Sequence, residues 1–332
     1  MRQQESIIGN SSALAEALDH LSRLAPINRP VLIMGERGTG KELAAQRLHY
    51  LSPRWEQPLV KVNCAAMAES LLESELFGHE AGAFTGATGR QLGRFERADN
   101  GTLFLDELGT MSSRVQEKLL RLIEYGEFER VGGQETLRVD VRVIGATNAD
   151  LRKLAAEQAF RADLLDRLSF DVVHLPPLRI RTSDTVELAD HFAMQMSSEL
   201  GWDLFPGFSD KALKQLLAHD WPGNVRELKN AVERSLYRWQ DSSRPVGNIV
   251  IDPFRPPYSD AGETLPTPQV VATPEQSNES TLDFQTQVRE FERQLLEQAL
   301  AGNGQNQRRT AAAIGLTYDQ IRGMVRKHEL SK

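Results

Sequence analysis

Two short stretches carry residues whose types and spacing suit phosphate chemistry. The first is VLIMGERGTGKE, which sets Gly35, Gly40 and Lys41 in the pattern G-x-x-x-x-G-K after an apolar run and before the helix-forming ELAAQRLHYL. Glycine turns let backbone N–H groups point inward at phosphate oxygens, and the N-terminus of the next helix adds positive potential. The Lys41 ammonium would reach the β- and γ-phosphates. Gly35, Glu36, Arg37, Gly38, Thr39, Gly40, Lys41 and Glu42 are therefore the candidate nucleotide cradle. The hydroxyl that usually follows the lysine and holds magnesium is replaced by Glu42, so Thr39 or water would have to supply that ligand. The second stretch is GTLFLDE, an apolar run that ends in Asp106 and Glu107. At the carboxyl edge of a parallel sheet these carboxylates would face the phosphates. Asp106 would then orient Mg2+ through its waters, and Glu107 would polarise the water that attacks the γ-phosphate. The structural alternative is a helix N-cap for the helical segment that follows. Taken together, the two stretches predict ATP hydrolysis.

Other stretches could complete or use such a site. VRVIGATN ends in Thr147 and Asn148, short polar groups placed to sense a γ-phosphate. FRADLLDRL holds Arg161 and Arg167. An arginine not needed in its own site can stabilise transition-state charge in a neighbour's site. The plain alternative is surface pairing with Asp163 or Asp166. GHEAGAFTGA, Gly78 to Ala87, is six-tenths Gly and Ala and would pass for a flexible connector on composition. Its place between the helix-like ESLLESELF and the strand-like GTLFLDE suggests a tight, mobile, hairpin-like projection. Phe84 and Thr85 would be contact groups at its tip. Trp55, in the polar loop LSPRWEQP, is either an interaction anchor or packed on its own domain.

The elements that must position these residues follow from periodicity. The chain's 332 residues allow two or three domains. PVLIMG, PLVKVNC, GTLFLDE, VRVIGATN and FDVVHLPP are strand-length apolar runs alternating with amphipathic helices, which predicts a parallel sheet covered on both faces. The expected divisions are an α/β ATPase part over 1–175, a small helical lid over 176–240, an extended linker over 241–282 and a helical unit over 283–332. Seven of the fifteen prolines fall in the linker. RRTAAAIGLTYDQIRGMVRKHEL reads as helix, turn, helix: Arg308 to Ile314, a turn at Gly315, then a helix N-capped by Thr317. Ile321, Met324, Val325 and Leu330 would form its apolar stripe. Tyr318, Gln320, Arg322, Arg326 and Lys327 lie off the stripe and could contact bases and phosphates. The preceding DFQTQVREFERQLLEQAL is amphipathic and suited to pairing with a second copy.

Net charge is −7, yet residues 304–332 carry +4, so a small basic tail follows an acidic body. One cysteine, Cys64, excludes an internal disulfide framework, fits a reducing cytoplasm, and reads as a buried thiol at a strand end. Nothing approaches eighteen consecutive apolar residues and the N-terminus is polar, so no membrane insertion is expected.

In order along the chain, GERGTGKE, GAFTGA, GTLFLDE, ATN, FRADLLDRL and WPGNVREL resemble the AAA+ bacterial enhancer-binding proteins that activate sigma-54 RNA polymerase. The match covers about Ile8 to Arg238. The resemblance implies an α/β AAA+ P-loop ATPase with a parallel sheet, a small helical lid, a flexible linker and a C-terminal Fis-like helix-turn-helix domain. By the same resemblance, Glu42 after the lysine is usual, and Asn63 pairs with Glu107 and switches with the γ-phosphate. Thr147 and Asn148 are the first sensor, and Arg226 is the second. Arg161 and Arg167 are arginine fingers acting in trans, which implies a homo-hexamer with lower oligomers when inactive. Gly82, Ala83, Phe84, Thr85, Gly86 and Ala87 would grip sigma-54, so the Phe84 ring would need no core partner in its own chain. Only about seven residues precede the match, so no large N-terminal sensor domain is expected. That layout resembles the phage-shock branch, restrained in trans by a PspA-like negative regulator for which Trp55 would be the docking point. The expected activity is binding of upstream enhancer DNA and ATP-driven opening of the closed sigma-54 promoter complex. An AAA+ unfoldase acting on other proteins is the alternative, and it needs neither GAFTGA nor a helix-turn-helix.

Overall fold

Apolar residues at alternating positions of the strands divide between two cores, one on each face of a single sheet. In a computed structural model, which describes residues 7–254, 284–304 and 306–328, the chain forms thirteen helices and seven strands among those residues. The order is α1 (Ser12–Leu24), β1 (Val31–Met34), α2 (Lys41–Tyr50), β2 (Leu59–Asn63), α3 (Glu69–Phe77), α4 (Arg94–Arg97), β3 (Thr102–Asp106), α5 (Ser113–Tyr125), β4 (Glu127–Glu129), β5 (Thr136–Arg138), β6 (Arg142–Thr147), α6 (Leu151–Ala156), α7 (Ala162–Leu168) and β7 (Val172–His174). It continues with α8 (Ser183–Glu199), α9 (Asp210–Ala218), α10 (Asn224–Trp239), α11 (Phe284–Gly302), α12 (Gln307–Ile314) and α13 (Tyr318–Lys327).

The five predicted apolar runs supply the parallel sheet, in the order β2-β3-β6-β1-β7. Leu32, Leu103, Leu105 and Val143 enter the core under α3, α5 and α7. Ile33, Phe104 and Ile144, one residue out of step, enter the core under α1 and α2. This is the period-two alternation of a strand buried on both faces. At the amino edge of the sheet, Arg142 is buried and donates to the carbonyls of Leu24 and Ala25 at the end of α1, at 2.9 and 2.7 Å. Burial lowers its pKa to about 10, so the helix-end carbonyls are the partners that keep this cation tolerable.

Two features differ from the sequence expectation. β4 and β5 form an antiparallel pair between α5 and β6. Each has only three residues, mostly polar, too short for a periodic signal. The lid, built on α8, α9 and α10 around Trp221, Phe192 and Leu228, does not stop at Gln240. Val246 and Ile249 are buried in its core, Val246 bridges Phe208, and the Arg234 guanidinium donates to the carbonyls of Val250 and Ile251. The opening residues of the expected linker are therefore the last layer of the lid. The rest of it, 255–282, lies outside the described residues.

The C-terminal helices have a core of their own from Leu296, Leu300, Ala311, Ile321 and Val325. Gly315 turns the chain in the left-handed region at φ 70°. The Thr317 hydroxyl accepts from the Gln320 N–H, while the Gln320 side chain accepts from the Thr317 N–H, a capping box that starts α13. Leu330, expected on the same stripe, lies outside the described residues. Among the described residues no helix is long and apolar enough to cross a membrane.

Candidate active site

The loop from Gly35 to Gly40 leaves the carboxyl end of β1 and closes on the N-terminus of α2. Gly38 and Gly40 take φ of 78° and 101°, where a side chain would be strained, and the space beside the Gly40 Cα is open. Lys41 opens α2. Its Nζ is buried at the loop and donates to the carbonyls of Gly35 and Glu36 at 2.9 and 3.1 Å. Burial lowers its pKa, and Asp106 and Glu107 only partly oppose that. Backbone turns and a buried cation that gains from a negative partner are the features a polyphosphate requires.

Asp106 ends β3 directly opposite Asn63 at the end of β2. Glu107 follows in the left-handed region at φ 54°, which is costly for a residue with a side chain. Its N–H donates to Asp106 Oδ1 at 3.0 Å. Its side chain does not cap the short 3-10 turn Leu108–Thr110 that follows, so the cap alternative is not realised. Among the described residues no cluster of three or more His, Cys, Asp or Glu could hold a metal unaided. A carboxylate pair beside a phosphate cradle instead fits Mg2+, which is commonly held by one or two carboxylates, water and substrate phosphates.

Several expected contacts take a different form. Thr39 is buried, and its hydroxyl donates to the Glu36 carbonyl at 2.9 Å, so it braces the loop and is not presented as a metal ligand. Glu42 points to Lys61 at 2.7 Å. The Asn63 side chain accepts from the Ala65 N–H at 2.9 Å, with no bond to Glu107 among the described residues. Thr147 is buried and accepts from the Ala149 N–H, leaving Asn148 as the exposed member of that pair. Cys64 is buried beside the carboxylates, and desolvation pushes its pKa up to about 12, which keeps it an inert thiol.

The lid docks on the phosphate loop through residues that local sequence did not single out. The Val225 N–H donates to the Gly38 carbonyl at 3.0 Å. The fully buried Asn224 donates to Glu36 Oε2 and the Arg37 carbonyl and accepts from the Leu178 N–H. Arg179 forks onto Glu36 at 2.6 and 2.8 Å, and Arg181 donates to the Thr39 carbonyl at 3.2 Å. Hydrogen bonds from Arg179, then from Asn224, hold the Glu36 pKa down at about 2. Arg226, in the first turn of α10, faces a cavity of about 590 Å³ shared with Arg37, Gly38 and Arg234. Each of these contacts spans well over a hundred residues or turns on a side chain's reach, which periodicity does not encode.

Arg161 and Arg167 lie at the start and end of α7. Arg161 pairs with Asp163 at 2.6 Å, the neighbour that sequence spacing offered, whereas Arg167 pairs with the distant Glu124 at 2.8 Å. Both guanidinium groups are on the surface. The 78–87 loop is closed like a hairpin, with Gly82 N–H donating to Ala87 C=O and Ala87 N–H to Phe84 C=O. Phe84, Thr85 and Gly86 are exposed at the tip, Ala83 is half-covered and Ala87 is buried. The base is held by Arg130, which pairs with Glu80 and Glu96. Trp55 is 56% exposed. In the C-terminal helices, Arg322 and Arg326 are exposed, Lys327 pairs with Glu292 at 2.7 Å, and the Arg308 guanidinium lies 5.4 Å from the Tyr318 ring centre.

A phosphate loop and a carboxylate pair at the carboxyl edge of a five-stranded parallel sheet, with a helical lid docked on the loop, define an AAA+ ATPase. Residues 7–174 match the family model of the sigma-54 interaction domain, and 179–243 match that of an AAA+ ATPase lid domain. The chain belongs to the sigma-54-dependent transcriptional activators. It is 54% identical over 328 residues to the Psp operon transcriptional activator of Escherichia coli, covering 98% of this chain and 99% of that one. It is 43% identical over 321 residues to the Nif-specific regulatory protein of Azotobacter vinelandii, of which it spans 58%. The crystal structure of NtrX from Brucella abortus in complex with ATP superposes with a TM-score of 0.69 at 32% identity, covering 98% of this chain and 70% of that one.

Proposed function

We propose that this ATPase works as a homo-hexameric, cytoplasmic ring on upstream enhancer DNA and opens the closed sigma-54 promoter complex of a phage-shock operon. The operon is inferred from the similarity to the Psp operon transcriptional activator along nearly the whole of both chains. Asp106 would hold Mg2+, which would supply positive charge to the nucleotide phosphates. Lys41 binds those phosphates, Glu107 polarises the attacking water, Asn148 senses the γ-phosphate and Arg226 reaches the nucleotide from the lid. Arg161 and Arg167, both exposed, serve the neighbouring subunit's site. Arg322 and Arg326 of a Fis-like helix-turn-helix contact DNA. Trp55, exposed on its loop, is the docking point for a PspA-like negative regulator.

The observation that carries this reading is the exposed Phe84–Thr85–Gly86 tip on a loop whose base is bonded into the ATPase fold. The test is an open-complex assay with sigma-54 polymerase. Glu107→Gln should bind ATP yet lose hydrolysis by about a hundredfold or more, and so open no promoter. Thr85→Ala should bind ATP and also fail to open the promoter. Wild-type promoter opening by Thr85→Ala would overturn the assignment of the loop.

A further inference from the structure

Gln116 of α5 is completely buried, on a helix whose Val115 and Leu119 enter the core. Its amide makes three hydrogen bonds. Oε1 accepts from the backbone N–H of Arg161 at 2.8 Å, and Nε2 donates to the carbonyls of Met111 at 2.8 Å and Ala159 at 3.2 Å. The orientation is fixed by chemistry, because a backbone N–H can only donate and a carbonyl can only accept.

Two paths from the phosphate end of the sheet meet at this amide. On the first, the Glu107 carbonyl accepts from the Thr110 N–H and hydroxyl, and the Leu108 carbonyl accepts from the Met111 N–H. The turn after Glu107 thus ends on a carbonyl that Gln116 binds. On the second, Gly109 packs so closely on Ala149 and Leu154 that a methyl there would stand 3.3 Å from both. The Leu154 carbonyl then accepts from the N–H groups of Ala159 and Phe160. The segment after Asn148 thus ends on the other carbonyl that Gln116 binds. The remaining bond goes to Arg161, which begins α7 without a side-chain cap.

We propose that Gln116 is a positioning residue for the active site of the neighbouring subunit: it fixes the Arg161 backbone against both segments that adjoin the γ-phosphate, so that movement of Glu107 or Asn148 moves Arg161. This rests on Arg161 acting in trans. A residue with only a packing role could be apolar here, whereas an apolar side chain breaks all three bonds and leaves the buried Met111 carbonyl and the part-buried Arg161 N–H without this partner.

The test uses the full chain with Gln116→Met, which keeps length and volume. ATP turnover should fall about tenfold or more while the KM for ATP stays within about twofold, the pattern of an interaction made only in the transition state. Mixing gives the decisive readout. Glu107→Gln subunits cannot hydrolyse but carry an intact Arg161 segment, so an equimolar mixture with Gln116→Met should regain activity, with about a quarter of the interfaces competent in a random ring. Arg161→Ala mixed with Glu107→Gln is the control. Recovery in both mixtures supports the proposal. Recovery with Arg161→Ala alone overturns the role of Gln116, as does wild-type turnover by Gln116→Met. Recovery in neither overturns the trans role of Arg161 and the proposal with it. If Gln116→Met melts well below the wild type, Gln116→Asn, which keeps the amide but is too short to hold all three groups, replaces it in the same mixtures.

Discussion

The Phe84 ring stands edge-on to the imidazole of His79, with centroids 4.9 Å apart and planes at 62°. His79 Nδ1 in turn lies 2.7 Å from the Ser74 hydroxyl on α3. The aromatic tip of the 78–87 loop therefore does have a partner in its own chain, contrary to the expectation drawn from the family resemblance. The contact is partial, since Phe84 remains 42% exposed. Phe84→Ala should change folding stability by less than about 1 kcal/mol, as befits a surface side chain. It should abolish capture of sigma-54 in the presence of a transition-state nucleotide analogue. A large drop in the thermal midpoint would show instead that the ring is a core element.

The Glu36–Arg179 pair should make the junction of lid and phosphate loop sensitive to acid. The folded pKa of Glu36 is depressed to about 2 from an ordinary value of 4.5. A depressed carboxylate stabilises fully above its unfolded pKa, and that contribution fades as pH falls toward the folded value. Solvent screens this half-exposed pair, so the effect is small in size. The thermal midpoints of wild type and Arg179→Met should differ most above about pH 5 and converge as pH falls toward about 2. A gap that does not change over this range would place the pair's contribution elsewhere.

Val246 and Ile249 close the lid core, so Val246→Ala and Ile249→Ala should each destabilise the protein by about 1–4 kcal/mol. Urea titration provides the check. Near-neutral values would restore 241–251 to a linker.

The paired substitution Arg322→Ala with Arg326→Ala should weaken DNA binding at least tenfold and lessen its salt dependence, by about one counterion for each phosphate left without its arginine. Hydrolysis of ATP should persist. A gel-shift titration at two salt concentrations separates this from Lys327→Ala. Lys327 is tied to Glu292 of α11, so removing its side chain should lower the stability of the three-helix unit as well.

Period and composition revealed the five strands, because a sheet buried on both faces demands unbroken apolar runs, and they revealed the phosphate loop, because only glycine tolerates its backbone angles. The Thr317 cap and the Arg161–Asp163 pair were legible because both partners lie within a turn of one another. Asn224, Arg179, Arg181 and Gln116 were not, since their roles depend on hydrogen bonds reaching 45 to 188 residues along the chain. Thr39 was read from its position as a stand-in magnesium ligand, and Asn63 was expected from the family resemblance to pair with Glu107, but each is taken up by a local turn bond that a small polar side chain readily makes.

Gly38 answers to two constraints at once. Its φ of 78° suits the phosphate loop, and a methyl group there would stand 2.2 Å from the Gly223 carbonyl and 3.1 Å from the Arg226 Cβ. The loop and the lid are therefore not independently exchangeable parts. A chimera that takes its lid from one relative and its ATPase core from another must also inherit this seam, so the WPGNVREL turn and the GERGTGKE loop have to be transplanted as one piece.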